Sequence, residues 1–223
     1  MAPDNVQFRA TKGYTKMLQT LTERLFDDGD RSDLDPFAVF EEWFALAKDA
    51  EPNDPHAMAL ATVDEEGLPD VRMVLLNARD ERGFCFFTNF ESAKGRQLQA
   101  NPKAAMVMHW KTLRRQVRMR GPVEPVSPAE ADAYFATRHK NSRIASASSK
   151  QSRPVASRAV MLDEVAALAA MIGEGEAPRP EHWSGYRIVP TSIEFWKDGE
   201  FRLHDRVRFT RQGAGWASAR LYP

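Results

Sequence analysis

Only one cysteine occurs in the 223 residues, Cys85, so the chain can form neither an internal disulfide nor a thiolate metal cluster. It lies in the apolar run Phe84-Cys85-Phe86-Phe87 and reads as a buried structural thiol of a cytoplasmic protein. An excess of charge is missing too. The 31 Lys and Arg balance 31 Asp and Glu, whereas a general polyanion binder needs surplus cations to displace counterions. Nucleic acid is therefore not an expected partner, and any basic site must be local. The longest apolar run, Val165 to Ile172, is far short of the roughly 18 residues a spanning helix needs. Met1 to Lys12 has no apolar signal core, so neither membrane insertion nor secretion is expected. Phosphate-loop glycines, Gly-x-Gly-x-x-Gly, His-Glu-x-x-His and Gly-x-Ser-x-Gly are all absent. The five histidines show no metal-ligand spacing, and His109, between Met108 and Trp110, reads as a structural strand residue. No metal is expected; phosphorylated planar ligands remain open.

What is present suffices for a core: 43% hydrophobic and 28% charged residues are ordinary globular usage. Residues 1–34 read as a polar N-terminal arm and a short helix carrying Met17, Leu18, Leu21 and Leu25, and residues 35–223 as a single domain. Asp35-Pro36 caps a helix with the stripe Phe37, Phe40, Phe44, Ala47. Strands are expected at 57–63, 71–76, 84–88, 104–110 and 116–120, with glycine-bearing turns at Gly67 and Gly83 and a short polar helix around Ser92 to Gln99. Ser127-Pro128-Ala129-Glu130 is a capping box opening a helix through Tyr134; 145–152 reads as loop or frayed helix, and 164–171 as helix. Strands return at 186–189, 193–196, 201–209 and 216–221. The expected fold is mainly β with peripheral helices, an antiparallel barrel.

Three segments carry candidate chemistry. In Arg202-Leu203-His204-Asp205-Arg206, a strand would put two guanidiniums and an imidazole on one face, close to Trp196 and suited to a planar anion. A solvated strand face is the ordinary alternative. In Arg114 to Arg120, Arg118 and Arg120 read as strand exterior, while the Gln116 amide can both donate to and accept from a heterocycle edge. Tyr134, Arg138 and Ser142, at i, i+4 and i+8 of a helix-like stretch, bring a phenol, a guanidinium and a hydroxyl to one side, a set able to bind phosphate oxygens or simply to face solvent.

These stretches occur together with Arg72-Met73-Val74-Leu75-Leu76, Phe86-Phe87-Thr88-Asn89, Ser92-Ala93-Lys94, Lys150-Gln151-Ser152, Ile193-Glu194-Phe195-Trp196 and Arg220-Leu221-Tyr222-Pro223. In that order, over about Asp35 to Pro223, the chain resembles the pyridoxine/pyridoxamine 5'-phosphate oxidases, dimeric FMN flavoproteins with a split-barrel fold. The resemblance implies that Arg72, Lys94 and Ser152 approach the flavin phosphate and ribityl chain, with Val74, Leu75, Phe87, Thr88, Gln116, Gln151, Trp196 and Arg206 completing the cofactor site. It implies that Asn77, Tyr134, Arg138 and Ser142 meet the substrate phosphate, while Arg202 and His204, the catalytic pair, cover the pyridine ring. The implied partners are phosphorylated B6 vitamers, O2 and a second copy of the chain, with FMN at the interface. Three positions depart from the family pattern: Asn77 replaces a lysine that reaches the substrate phosphate, Ala93 an arginine, and Ala145-Ser146-Ala147 a Gly-Ala-Trp segment. Arg72 and Asn77, five residues apart, would face oppositely on a regular strand, so both serve one site only with a bulge or across a subunit boundary. The residues also leave room for a split-barrel flavoprotein oxidoreductase of another heterocycle, or a non-catalytic flavin or pyridoxal phosphate binder.

Overall fold

The computed structural model describes residues 21–223, so the arm and the first two apolar positions of its helix, Met17 and Leu18, lie outside the described residues. The chain divides into two compact units, a larger one of residues 56–109 and 116–193 and a smaller one of the remainder.

The larger unit holds β1 (Ala57–Val63), β2 (Pro69–Leu75), β3 (Ala78–Asp80), β4 (Gly83–Asn89), β5 (Lys103–Trp110, all but its last residue), β6 (Arg115–Pro125, all but its first) and β7 (Trp183–Ile188). Their spatial order is β2-β1-β5-β6-β7-β4-β3. β1 runs antiparallel to β2 and β5, and β7 antiparallel to β4 and β6. The period-2 pattern decides which face is core: Met58, Leu60 and Thr62 of β1, Ala104, Met106 and Met108 of β5, and Val117 and Met119 of β6 all turn inward. β4 and β7 are buried almost throughout, as befits strands covered on both sides. β2, at the end of the order, leaves Val71, Met73 and Leu75 exposed, an apolar edge of the kind that invites pairing with another chain.

Four helices of this unit flank the strands: α2 (Ala93–Ala100), α3 (Pro128–Thr137), α4 (Lys140–Ser148) and α5 (Arg158–Ile172). Ser92 caps α2 through the Gly95 N–H at 3.2 Å, and Gly95 is required because a Cβ there would lie 2.2 Å from the Phe90 carbonyl oxygen. The capping box at Ser127 and Glu130 is formed. The stretch from Tyr134 to Ser142 is not one helix: Arg138 and His139 are extended, and His139 Nδ1 accepts the Asn141 N–H to start α4. The residues read as loop or frayed helix are helical as far as Ser148, and the helix expected at 164–171 begins at Arg158, capped by Ser157.

The smaller unit contains α1 (Pro36–Ala50), β8 (Ser192–Lys197, whose first two residues belong to the larger unit), β9 (Asp205–Gln212) and β10 (Gly215–Arg220). Asp35 caps α1 with proline at the first position, and Phe40, Trp43, Phe44 and Ala47 are buried. Trp43 meets Phe195 edge-on at 5.2 Å, and Phe195 meets Phe209 likewise at 6.0 Å. The expectation of a strand over 201–209 fails at its first half. Glu200–Arg202 form a 3₁₀ turn with Phe201 and Arg202 at positive φ, and β9 begins only at Asp205. Arg202 and His204 therefore do not share a strand face with Arg206. The turn is held by the Leu203 N–H on the Glu200 carbonyl, over Gly199, where a Cβ would lie 2.1 Å from the Leu203 oxygen.

Candidate active site

In the larger unit the C-terminal ends of β2 and β4 open onto a cavity of about 550 Å³, closed by the first turn of α2, by α3 and α4 and by the loop after α4. One wall is aromatic. β4 pairs with β7 so that Phe87 stands opposite Gly185, whose missing side chain leaves room for the ring. Phe87 stacks on Tyr134 at 4.1 Å and on Trp183 at 5.3 Å, with interplanar angles of 17° and 11°. The Arg138 guanidinium lies 5.0 Å from the Trp183 ring centroid, and its Nη1 donates to Ser146 Oγ at 2.8 Å. The break between α3 and α4 is what turns Arg138 to this wall, because its extended backbone leaves the helical spiral.

The second cation is Lys94, in the first turn of α2. Its Nζ donates to Gln151 Oε1 at 2.9 Å, and the Thr88 hydroxyl reaches the same oxygen at 3.3 Å. Burial, and next the nearby Arg72 charge, push the Lys94 pKa below its usual value; burial also lowers that of Arg138 and raises that of the Tyr134 phenol. Among the described residues neither Lys94 nor Arg138 is ion-paired with a carboxylate. Two desolvated cations facing only an amide, a hydroxyl and rings form a cavity that lacks negative charge and can gain it from a ligand.

Of the residues singled out from the sequence, Val74, Leu75, Asn77, Phe87, Thr88 and Lys94 line this cavity, as do Tyr134, Arg138, Ser142 and Gln151. Asn77 lies past the end of β2, its Nδ2 donating to Tyr134 Oη at 2.6 Å. Asn77 reaches the cavity because β2 ends before it, whereas Arg72 does not line it. Arg72 points away from the cavity wall to the Leu60 carbonyl, Thr62, Asp70 and Gln97. Ser152, exposed and at positive φ, follows Gln151, and Gln116 is half-buried on β6; neither lines the cavity. Trp196, Arg202, His204 and Arg206 belong to the smaller unit. There the His204 ring lies 4.7 Å from that of Trp196, with Nδ1 3.1 Å from Asp198 Oδ1. Arg206 gives Nε and Nη2 to Glu194 Oε1 at 3.0 and 2.9 Å. Arg202 is exposed in the 3₁₀ turn.

The sequence reading missed Trp183 and Ser146, which fix Arg138, and Asn89, whose Nδ2 holds the Ser149 carbonyl at 3.0 Å. A tryptophan opening a wholly buried strand was the one signal available for Trp183; the contacts of the other two span helix and loop and leave no periodic trace.

Comparison with known proteins bears on most of the chain. Residues 47–171 match the family model of pyridoxamine 5'-phosphate oxidase, and residues 183–223 match the pyridoxine 5'-phosphate oxidase C-terminal dimerisation region. A pyridoxine/pyridoxamine 5'-phosphate oxidase of Rhizobium etli is 60% identical over 191 residues, covering 85% of this chain and 93% of its own. One from Maricaulis maris is 56% identical over 212 residues, 94% of this chain and 93% of its own. Among solved structures, PhzG from Burkholderia lata, in complex with tetrahydrophenazine-1-carboxylic acid, superposes with a TM-score of 0.82 at 31% identity, over 89% of this chain and 96% of that one. A pyridoxamine 5'-phosphate oxidase-related FMN-binding protein from Nostoc punctiforme shares the fold at a TM-score of 0.69 and 18% identity, over 86% of this chain and all of that one. The antiparallel split-barrel expectation stands. With family models covering most of its length and relatives this similar, the chain belongs to the pyridoxine/pyridoxamine 5'-phosphate oxidase family.

Proposed function

We propose that this chain oxidises pyridoxamine 5'-phosphate and pyridoxine 5'-phosphate to pyridoxal 5'-phosphate, with FMN as cofactor and O2 as final acceptor. The observation that carries the reading is the pair of unpaired cations in one cavity. A flavin mononucleotide and a phosphorylated vitamer bring two phosphates, and the cavity offers two desolvated cations, Lys94 and Arg138, with no carboxylate to compete.

FMN fits this donor set. Lys94, Thr88 and Gln151 supply a cation, a hydroxyl and an amide for a phosphate and polyol chain, with Arg72 and Ser152 nearby in the chain fold, while Val74, Leu75 and Phe87 supply apolar wall. Bound FMN supplies the hydride acceptor and the route of the electron pair to O2, which leaves as hydrogen peroxide. The protein's share is placement. Arg138, Tyr134 and Ser142 hold the substrate phosphate far from the reacting carbon, so that binding energy there is converted into orientation of the ring. Phe87 and Trp183 keep water from that end. The amine substrate, once it has lost a hydride and a proton, is an imine that water hydrolyses to the aldehyde and ammonium; the alcohol gives the aldehyde directly. By family likeness Arg202 and His204 act at the pyridine ring, and Gln116, Trp196 and Arg206 at the flavin. A homodimer with FMN at its interface is part of this reading, supported by the matched dimerisation region and by the apolar edge of β2.

The likeness to PhzG sustains a second reading, oxidation of an unphosphorylated heterocycle. Anaerobic titration of the purified holoprotein separates them. Pyridoxamine 5'-phosphate should bleach the flavin bands, air should restore them with one peroxide per turnover, and unphosphorylated pyridoxamine should act only at far higher concentration. Equal action of both amines would remove the phosphate site from the mechanism.

A further inference from the structure

Asn77 is a side chain of the cavity whose two ends are both assigned by its neighbours. The Phe87 backbone N–H can only donate, and it lies 3.2 Å from Asn77 Oδ1. The carbonyl end of the amide therefore faces Phe87, and the NH2 end is the one 2.6 Å from Tyr134 Oη. An amide nitrogen has hydrogens to give and no lone pair to offer, so at this contact the phenol oxygen accepts. The phenol hydrogen must then be directed elsewhere. Among the described residues no acceptor is placed for it, and the same oxygen stands on the lining of the cavity. The ring cannot swing away, because it is packed flat on Phe87, the residue whose N–H orients the amide.

We infer that Asn77 is a positioning residue for the substrate phosphate: by donating to Tyr134 Oη while accepting from the Phe87 N–H, it fixes the phenol as a donor aimed into the cavity. A phosphate, which at neutral pH is rich in acceptors, is the group such a donor recognises, and Asn77 acts on it through Tyr134. Burial, which raises the phenol pKa, keeps that proton in place. The inference rests on the cavity reading given above and adds to it a chain of command, Phe87 N–H to Asn77 to Tyr134 to phosphate.

The test is a double-mutant cycle on the holoenzyme with Asn77→Ala, Tyr134→Phe and the pair. It is read as the dissociation constant of pyridoxal 5'-phosphate by equilibrium dialysis and as KM and kcat for pyridoxamine 5'-phosphate. Each single change should weaken binding and raise KM by several-fold to about tenfold with kcat within about twofold, and Asn77→Ala should add nothing once Tyr134 is phenylalanine. Asn77→Ser, which keeps an oxygen beside the Phe87 N–H but is too short to reach Tyr134, should behave as the alanine variant does and serves if that variant does not fold. Equal weakening by Asn77→Ala in both backgrounds would make Asn77 a direct phosphate ligand and overturn the inference. So would a loss confined to kcat and flavin content, the mark of a merely structural role. Failure of the parent cavity reading looks different: the wild-type protein would then bind pyridoxal as tightly as pyridoxal 5'-phosphate.

Discussion

In the smaller unit, Arg206 gives two nitrogens to Glu194, Arg220 lies 2.8 Å from Asp205, and the His204 ring sits beside Asp198. In the cavity of the larger unit, Lys94 and Arg138 meet only Gln151, Ser146 and aromatic faces. The two arginines of the first group are neutralised by the chain itself, so their charge goes into holding strands and turns in place. The cations of the second carry a desolvation cost that no directly paired carboxylate offsets among the described residues, Asp70 acting on Lys94 only at a distance, and a bound anion would relieve it. The contrast recurs inside the larger unit. Arg187, almost fully buried, lies 2.6 Å from Glu130 and 3.4 Å from Glu124, and Arg82 reaches Glu130 and Asp80. Counting arginines does not find a binding site; asking which of them lack a carboxylate does.

The sharpest way to break the comparison is Arg138→Ala. If Arg138 is a phosphate cation, its loss removes charge-assisted hydrogen bonds of about 3 kcal/mol, raising KM for pyridoxamine 5'-phosphate by roughly a hundredfold. Flavin content and melting temperature should change little, since no carboxylate is orphaned. Steady-state kinetics with thermal melts checks this, and a large fall in melting temperature with unchanged KM would move Arg138 to the structural class.

Glu130→Gln probes the opposite class. Glu130 accepts from the Ser127 backbone and from Arg187 and Arg82, which together hold its pKa down to about 2. A carboxylate with a depressed folded-state pKa contributes stability that is present above its unfolded pKa, here the usual 4.5, and is lost as the pH falls from there toward about 2. The substitution should cost about 2 kcal/mol at neutral pH, less than a fully broken buried pair because Arg187 keeps Glu124 and Asp80. It should also flatten the loss of stability between those two pH values. Urea denaturation at neutral pH and at pH 3 measures both. Asp35 and Ser127, by comparison, make local caps that were legible as sequence patterns.

Legibility followed the range of the interactions. The inward alternation of β1, β5 and β6 could be read directly, because a period of two needs only neighbours. β6 continues to Pro125, beyond the expected 120, because Gly121 and Pro122 look like a strand end but mark a close approach: a Cβ on Gly121 would lie 2.0 Å from the Val189 oxygen. Residues 201–204 were misread as strand because five residues of charged alternation do not distinguish a strand from a turn held by one backbone hydrogen bond. The cavity residues were found largely through the family resemblance. Their individual spacings were weak signals: Tyr134, Arg138 and Ser142 do line one cavity, but not through i, i+4, i+8 spacing, since the helix breaks at Arg138.

Arg202 is exposed in the 3₁₀ turn and has no carboxylate partner among the described residues. Arg202→Ala should lower kcat by on the order of tenfold or more while leaving the flavin spectrum intact, the pattern of a group that acts on the reacting ring. Arg206→Ala, which removes two hydrogen bonds to the buried Glu194 carboxylate, should instead lower stability. A flavin-free Arg202→Ala protein would reverse the assignment.

The last expected effect concerns Lys94 and is a matter of pH. Burial and the Arg72 charge hold its pKa below the usual lysine value, so the ammonium begins to lose its proton at a pH where an exposed lysine would keep it. Binding of a phosphate favours the charged form. Flavin affinity should therefore be greatest below that depressed pKa and fall as the pH rises through it, approaching about tenfold weaker once the cation is gone. Lys94→Arg keeps the charge at every accessible pH and should abolish the dependence. Lys94→Met should show the weakened affinity at all pH values. Fluorescence titration of the apoprotein with FMN between pH 7 and pH 10 reads all three proteins. A wild-type affinity that is flat over that range, with Lys94→Met equal to wild type, would show that Lys94 is paired within the chain after all and belongs with Arg187 and Arg206.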